Sequence, residues 1–234
     1  MRVHSPQSTV HGSVWRLLID TQRSAAEQMA VDERLASDAI LTVRFFRWDP
    51  PAISLGWKQL SPEWAAGLDV VERPTGGGIA FHGSDVSWSV VLPRTRELSV
   101  HVLMKTVCDS AMRVCASYGI PAETVVDCPG PQRIIYCLTQ PSSYAVLIGE
   151  KKVAGMALRR YPESWLIQGS LLVRPITQRL RSALPTKVME PLDRRAVSLE
   201  QAAGCPLSER QVIDRWAANW STWWEASSKP MEVT

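Results

Sequence analysis

The 234-residue chain has the composition of a globular protein, with 45% hydrophobic and 21% charged residues. Its 26 lysines and arginines against 23 aspartates and glutamates give a net charge of +3, a basic excess too small to predict nucleic-acid binding. We find no signal-peptide pattern and no apolar stretch approaching the roughly 18 residues that span a bilayer, so we expect a cytoplasmic protein without a membrane partner.

The cysteine pattern argues against a metal site. The five cysteines include no CxxC pair, and the four histidines are widely separated. We therefore expect no bound metal and reduced thiols. Cys108 and Cys115 fall on the shoulder of a predicted helix, which favours buried structural thiols, whereas Cys128 and Cys205 lie near prolines without supporting residues.

The first predicted helix begins after Ser24, because Glu27 completes a capping box. Asp32 falls on the apolar face of this helix, either as a buried hydrogen-bond acceptor, which we prefer, or as a substrate contact. The runs VRFFRW and AISLGW follow, separated by DPP, and we expect neighbouring strands joined by a turn.

The rest of the chain continues to mix strands with helices. VSWSVVL alternates as a half-buried strand does, residues 100–118 follow a helical period, and YAVLI with KKVAGMA indicates a hairpin. WLIQGSLLV predicts a further strand, and helices are expected near Ser198 and Ser208. The pattern predicts an α/β (α+β) fold: one mixed, twisted β-sheet flanked by helices, in a single domain over 1–234 whose helical tail, 177–234, packs on it.

The segment RPTGGGIAFH, from Arg73 to His82, contains three consecutive glycines. It lacks the lysine of a phosphate loop and the spacing of a dinucleotide fold. The glycines either form a tight connection between strands or let the backbone approach a ligand, with Arg73 adding a charge-assisted contact. His82 is either a satisfied structural group or a base. The segment alone leaves both questions open.

A second motif, GEKKVAGMA at 149–157, favours the ligand-binding reading of the glycines by resemblance and leaves the role of His82 open. Together the two segments resemble the RxTGG(G/R)xxxH and G(R/K)KxxGxA motifs of the lipoate/octanoate ligase and transferase family, relatives of the biotin protein ligases. AEQMAVDERL and RFFRWDPPAISLGWKQ resemble further family segments in the same order. The resemblance implies the biotin/lipoate protein ligase catalytic fold and places Lys152 at the family's active-site lysine.

Cys137, in CLTQPSSYA, precedes the lysine motif. This order resembles the octanoyltransferases of Firmicute-type lipoate assembly, which implies Cys137 and Lys152 as catalytic residues. Because neighbouring residues on a strand point to opposite faces, only one of Lys151 and Lys152 can face the site, where we expect Lys152 alongside Ala154 and Met156. The resemblance implies a substrate-binding set made of Arg73, Thr75, Gly76, Gly77, Gly78, His82, Gly155, Ala157, Gln168 and Gly169.

The implied reaction is transfer of an octanoyl group, from an octanoyl-acyl carrier protein or between lipoylated proteins, through a Cys137 thioester. The acceptor would be a lysine of a lipoyl domain or of the glycine-cleavage H protein, without a cofactor. Two alternatives remain open: an ATP-dependent ligase, using ATP and Mg, in which Lys152 stabilises an acyl-adenylate, and a non-catalytic acyl-binding or carrier-binding protein. Departures from the family pattern at Gln168, Gly83, Met156 and Ala145 bear on the choice.

Overall fold

The computed structural model of the chain describes residues 8–10, 13–94, 99–128 and 134–228. The strands are β1 (Ser8–Val10), β2 (Ser13–Ile19), β3 (Thr42–Phe46), β4 (Ala52–Leu55), β5 (Asp69–Glu72), β6 (Ala80–Phe81), β7 (Asp85–Pro93), β8 (Glu123–Val125), β9 (Ala145–Ile148), β10 (Lys151–Arg160) and β11 (Ser164–Leu172). The helices are α1 (Ala25–Asp38), α2 (Val100–Ser117), α3 (Gln178–Ala183), α4 (Thr186–Arg195), α5 (Leu199–Ala203) and α6 (Glu209–Ser228).

These strands form two sheets. The large sheet has the order β1-β2-β3-β7-β11-β10-β9-β8 and is mixed, because β2 and β3 run parallel while its other neighbours run antiparallel. The small sheet has the order β5-β4-β6. Helices α2 and α6 pack on one face of the large sheet and α1 on the other. The predicted mixed sheet flanked by helices is confirmed.

Aromatic side chains dominate the face that α2 and α6 cover. The Trp216 ring lies 5.1 Å from Phe45 and 4.8 Å from Trp88, and Trp220 meets Phe45 edge-on at 6.1 Å. Such contacts add to the burial of large apolar surfaces. They dock α6, in the chain's tail, against β3 and β7. The side chains of the two later tryptophans in this helix lie outside the described part.

The prediction for the two strands around DPP is wrong in one respect. β3 lies in the large sheet and β4 in the small one, so they are not neighbours. Pro50 and Pro51 have no backbone N–H to continue a ladder, and the chain leaves the first sheet there. Ala52 then exchanges backbone hydrogen bonds with His82, which starts the second sheet.

Strand β7 is buried on both faces, not half-buried as the alternation predicted. It lies between β3 and β11, and Ser87 and Ser89 are both about as inaccessible as its apolar residues. The serines face a buried polar layer beneath α1, where Ser89 donates to Asp32 at 2.7 Å. Alternation of apolar and polar residues indicates a strand with two chemically different faces. In β7 the polar face is covered by other parts of the protein and is not exposed to water.

Helix ends follow the predicted chemistry where capping boxes exist. The Glu27 carboxylate accepts from the Ser24 N–H at 3.1 Å before α1, and Gln211 accepts from the Ser208 N–H at 3.2 Å before α6. A box that had not been predicted, Ser198 with Gln201, precedes α5. Helices α3 and α4 had not been predicted. Pro191 lies inside α4, and proline in a sequence ordinarily indicates a helix break.

Candidate active site

The glycine loop (residues 73–78) and the segment carrying Cys137 are joined through their backbones. Ile79 N–H donates to Ile135 O at 2.7 Å, and Cys137 N–H donates to Ile79 O at 2.8 Å. The approach requires a glycine, since a Cβ on Gly78 would lie 2.8 Å from the Ile135 carbonyl. The third glycine of the run therefore fixes the position of the cysteine.

A β-bulge turns Lys152 toward the site. Lys152 pairs with Leu147 and Ala154 with Val146, so Val153 is an extra residue in β10. Alternation is broken there, and the side chain of Lys152 shares its face with Gly155 rather than with Ala154 and Met156, as had been expected. Lys152 points toward the site, as predicted, but the prediction that Ala154 and Met156 share its face of β10 is wrong.

Cys137 Sγ and Lys152 Nζ converge on Gly155. A Cβ built on this glycine would lie 3.2 Å from each atom, so the two can be no farther apart than twice that distance. The same Cβ would lie 2.9 Å from Lys152 Cε, closer than side chains tolerate. The missing side chain of Gly155 thus provides the space in which thiol and ammonium meet.

Lys152 is only 4% exposed, and its ammonium is held by two hydrogen bonds. It donates to Cys137 O at 2.8 Å and to Ser142 Oγ at 2.7 Å. Ser142 was missed as a site residue, although it belongs to the PSSY run that carries the resemblance around Cys137. The run indicated this position, but only the structure shows that its hydroxyl fixes the lysine.

Arg73 holds the glycine loop from inside. Its Nη2 donates to Gly76 O and Gly78 O, both at 2.7 Å, and its Nη1 donates to Ser54 O and Oγ, both at 3.1 Å. These bonds use the guanidinium for the loop's own carbonyls, where a ligand contact had been expected. Burial lowers the pKa of Arg73, and negative charge on Cys137 opposes that shift. The guanidinium therefore also interacts electrostatically with the cysteine.

The loop's amides are free to donate. Among the residues that the structure describes, none accepts a hydrogen bond from the N–H of Gly76, Gly77 or Gly78. Gly77 and Gly78 also line the cavity beside Cys137. Arg73 binds the carbonyls of Gly76 and Gly78, on either side of Gly77, so the loop is held while its N–H groups stay unpaired.

His82 is bonded at both ring nitrogens. Nε2 lies 2.8 Å from Ser54 Oγ, Nδ1 lies 2.8 Å from Asp85 Oδ2, and the ring stacks on Trp48 at 4.0 Å. Hydroxyl, imidazole and carboxylate follow the order found in serine hydrolases, but here Ser54 also accepts from Arg73. We interpret this series of hydrogen bonds as a brace that supports the glycine loop from below. His82 therefore has the structural role, not that of a base.

A second brace crosses from α1 to the loop through Gln168. Its Nε2 donates to Asp32 Oδ2 at 2.7 Å, and its Oε1 accepts from Thr75 Oγ1 at 2.7 Å. Asp32 also accepts from Arg44 Nη1 and Ser89 Oγ, each at 2.7 Å. Asp32 is therefore the buried acceptor that we preferred, and Gln168 acts through Thr75 on the glycine loop.

An apolar cavity of about 290 Å³ opens beside Cys137. Gly155, Ala157, Gln168 and Gly169 line it, and Gly169 leaves room for the Trp88 ring, which a Cβ would meet at 2.1 Å. The larger hydrophobic side chains in its wall are Met29, Phe46, Trp48, Trp88, Ile134 and Met156. Its composition suits an aliphatic chain.

A second cavity of about 810 Å³ shares Cys128, Pro141 and Ser142 with the first. Lys152 lines this second cavity, and its ammonium donates to Ser142, a wall residue of both cavities. Cys128, for which the sequence offered no role, is a wall residue of both.

Two other cysteines are outside this chemistry. Cys108 and Cys115 are completely buried, and burial raises the pKa of each thiol to about 12. They are the structural thiols that were predicted. No group of three potential metal ligands occurs among the described residues, and no described helix is long and apolar enough to cross a membrane.

Comparison with known families now bears on this site. The family model for the lipoyl protein ligase A/B catalytic domain matches residues 24–221. The chain belongs to this family. It is 30% identical to the octanoyltransferase LipM of Symbiobacterium thermophilum, covering 88% of this chain and 85% of the relative. Identity to the octanoyltransferase LipM of Kyrpidia tusciae is also 30%, covering 94% and 90%.

Solved structures agree with the fold. A putative lipoate protein ligase from Thermoplasma acidophilum with bound lipoic acid has a TM-score of 0.68 at 18% identity, covering 91% of each chain. A biotin protein ligase from Aquifex aeolicus in complex with biotin and ATP has a TM-score of 0.52 at 13% identity, covering 90% of this chain and 69% of its own. The predicted family and its catalytic fold are confirmed.

Proposed function

We propose that the protein is a cysteine-dependent octanoyltransferase of protein lipoylation, with Cys137 as nucleophile. The observation that carries the assignment is the convergence of Cys137 Sγ and Lys152 Nζ on Gly155, beside the apolar cavity that Cys137 and Gly155 line. Octanoyltransferases matching most of the chain at about 30% identity confirm the predicted enzyme class, an acyltransferase.

In the first half-reaction the Cys137 thiolate attacks the carbonyl carbon of an octanoyl thioester. A new carbon–sulfur bond forms to Cys137, the bond to the donor's sulfur breaks, and the donor leaves as a thiolate that takes up a proton. The ammonium of Lys152 and the guanidinium of Arg73 place positive charge near the thiolate. Positive charge favours the reactive form of a cysteine.

The glycine loop supplies the electrostatic part of this step. Gly77 and Gly78, whose N–H groups have no acceptor among the described residues, line the cavity beside Cys137, and we propose that these groups donate to the carbonyl oxygen as it becomes negatively charged. Arg73 fixes the loop through carbonyls on either side of Gly77. The donors are therefore held in place before substrate arrives, and the octanoyl chain lies in the apolar cavity.

In the second half-reaction the neutral ε-amine of an acceptor lysine attacks the Cys137 thioester. The carbon–nitrogen bond forms, the bond to Cys137 breaks, and the amine loses a proton as the amide is produced. We propose a lipoyl domain or the glycine-cleavage H protein as acceptor and an octanoyl-acyl carrier protein as donor. A related fold supports a lipoyl-domain partner: the bipartite lipoate protein ligase of Thermoplasma acidophilum is described with its E2 lipoyl domain.

The test is incubation of the purified protein with octanoyl-acyl carrier protein, without ATP, followed by intact mass measurement and peptide mapping. We expect one octanoyl adduct, on Cys137, that is lost on addition of a lipoyl domain with matching gain of mass on the acceptor. Cys137→Ala should form no adduct. Cys205→Ala, which removes an exposed cysteine elsewhere, should behave as the wild type.

Two outcomes would overturn the assignment. Product formed only when ATP and Mg are added, with no adduct on Cys137, identifies an ATP-dependent ligase that uses Lys152 to stabilise an acyl-adenylate. Tight binding of the octanoyl carrier without any transfer, with or without ATP, identifies a non-catalytic acyl-binding protein.

A further inference from the structure

The second cavity is basic where it adjoins Lys152. Lys151, Lys152, Arg194 and Arg195 line it, and Glu150 is the acidic side chain in its wall. Four positive charges against one negative charge make this opening attractive to an anion.

The fold brings the end of α4 to this opening. Lys152 forms an isolated parallel bridge with Ala196, and Val197 N–H donates to Lys152 O at 3.1 Å. Arg194 and Arg195 form the last turn of α4 and directly precede that bridge. They are therefore held next to the lysine that faces Cys137.

Both arginines are available to a ligand. Each is exposed, and neither guanidinium forms a hydrogen bond or ion pair with any residue in the described ranges. The neighbouring cations are already engaged: Lys151 Nζ donates to Asp193 O at 3.3 Å, and Lys152 is bound to Cys137 O and Ser142 Oγ. Two unpaired guanidinium groups at the mouth of a cavity are suited to a phosphate group, which they can bind bidentately.

The reaction indicates which phosphate this is. The acyl chain occupies the apolar cavity on one side of Cys137, so the thiol-bearing arm of the donor must leave through another opening. The second cavity shares walls with the first at Pro141 and Ser142, and the two arginines also line it. In an acyl carrier protein that arm is phosphopantetheine, an apolar and amide chain with a phosphodiester at its far end.

We propose that Arg194 and Arg195 bind the phosphate of the donor's phosphopantetheine arm, with the arm lying in the second cavity and its thioester at Cys137. This inference rests on the octanoyl-transfer function proposed above. It assigns the donor to the side of β10 where α4 ends, and it makes the arm's phosphate a recognition element alongside the acyl chain.

The test compares octanoyl-phosphopantetheine with octanoyl-pantetheine, two donors that differ only in the phosphate. The rate of Cys137 octanoylation is followed by mass spectrometry for the wild type, for Arg194→Gln/Arg195→Gln, and for the control Arg179→Gln/Lys187→Gln. The control removes the same net charge from exposed positions on α3 and α4.

The wild type should have a KM for the phosphorylated donor about tenfold or more below that for pantetheine, as expected for hydrogen bonds between charged groups. The Arg194/Arg195 double variant should lose this difference, with the pantetheine KM changed by less than about twofold. The control should keep it. Equal KM values for both donors in the wild type, or an equal effect of the variant on both donors, would overturn the proposal.

Binding of phosphopantetheine itself, measured by titration calorimetry, separates this inference from the proposed function. Binding by the wild type that the double variant lacks supports the arm site even if no donor acylates Cys137, which would count against the transferase alone. Acylation of Cys137 without binding of the arm would leave the transferase standing and refute the arm site. Competition by ATP for the same arginines would assign the cavity to a nucleotide instead.

Discussion

Asp32→Ala tests whether the buried brace from α1 supports the site. Asp32 is fully buried and accepts three hydrogen bonds, from Arg44, Ser89 and Gln168. Removing the carboxylate leaves three donors without this acceptor, one of them a guanidinium that is itself completely buried. The change therefore acts on charge pairing and on hydrogen bonding at once.

The expected loss of stability follows from these contacts. Removing one partner of a buried ion pair destabilises by about 3–5 kcal/mol, because an uncompensated charge remains. Arg44 keeps its bonds to Asp20 at 2.8 and 3.1 Å, which limits the loss at that group, while Ser89 and Gln168 each lose a neutral bond of about 1 kcal/mol. We expect a free energy of unfolding lower by about 3–5 kcal/mol.

Urea unfolding followed by tryptophan fluorescence and circular dichroism gives the measurement, with Glu33→Ala as control. Glu33 is the next residue of α1 and is exposed, so its removal should change the unfolding free energy by no more than about 0.5 kcal/mol. If Asp32→Ala proves no more destabilising than Glu33→Ala, the reasoning about this network is wrong. Octanoylation of Cys137 should also slow in Asp32→Ala, because Gln168, which accepts from Thr75, loses the hydrogen bond to Asp32 that orients its amide.

Three further expectations concern single groups. Gly155→Ala places a Cβ 2.9 Å from Lys152 Cε and should slow Cys137 octanoylation about tenfold or more. The control Gly76→Ala, whose Cβ meets nothing within 4 Å, should slow the reaction far less. Equal effects of the two substitutions would contradict the argument that a side chain at Gly155 displaces Lys152. Iodoacetamide at mildly alkaline pH should label Cys205 and Cys137 but leave Cys108 and Cys115 unmodified until denaturation, as peptide mapping can check, because burial raises their pKa to about 12. Burial raises the pKa of Asp85, but His82 and the Ser170 and Ser87 hydroxyls lower it by more, so the net shift of this pKa is downward. Asp85 therefore stabilises the fold above about pH 4, and this contribution is lost as the pH falls through the lowered pKa. Unfolding free energies measured from about pH 7 to about pH 3 should fall more steeply in the wild type than in Asp85→Asn, and parallel curves would refute this.

The elements that could be predicted are those whose signal is local. A capping box fixed the start of α1, a two-residue turn fixed the β9–β10 hairpin, and a helical period fixed α2. Which sheet a strand joins is not local, so the separation of β3 from β4 could not be anticipated from the residues between them. The burial of Ser87 and Ser89 was equally hidden, because Ser87 accepts from Trp48 Nε1 and Ser89 donates to Asp32 on α1, two partners that lie far from β7 in the sequence.

The residues of the candidate site likewise divide into those that local sequence patterns predict and those that only tertiary contacts reveal. The three segments that resemble the family, RPTGGGIAFH, CLTQPSSYA and GEKKVAGMA, contain the glycine run, Cys137 and Lys152, and the structure brings these together. The bulge at Val153 changes which residues share a face with Lys152, and no periodicity reveals a bulge before the partner strand is known. Arg194 and Arg195 offered no signal, because their meaning comes from a bridge between Ala196 and Lys152 that joins distant parts of the chain.

Three of the four departures from the family pattern, at Gln168, Gly83 and Met156, have a local structural account and do not argue for a lost activity. Gln168 keeps both an acceptor for Thr75 and a donor for Asp32, so it can bridge α1 and the glycine loop where relatives usually have histidine. Gly83 has a φ of +114°, a conformation that an aspartate would adopt only with strain. Met156 pairs with Gly169 and packs against the core cluster of Trp88, on the opposite face of β10 from Lys152 and Gly155. Since none of the three disturbs the approach of Cys137 to Lys152, the arrangement favours a working transferase over a protein that only binds the acyl group.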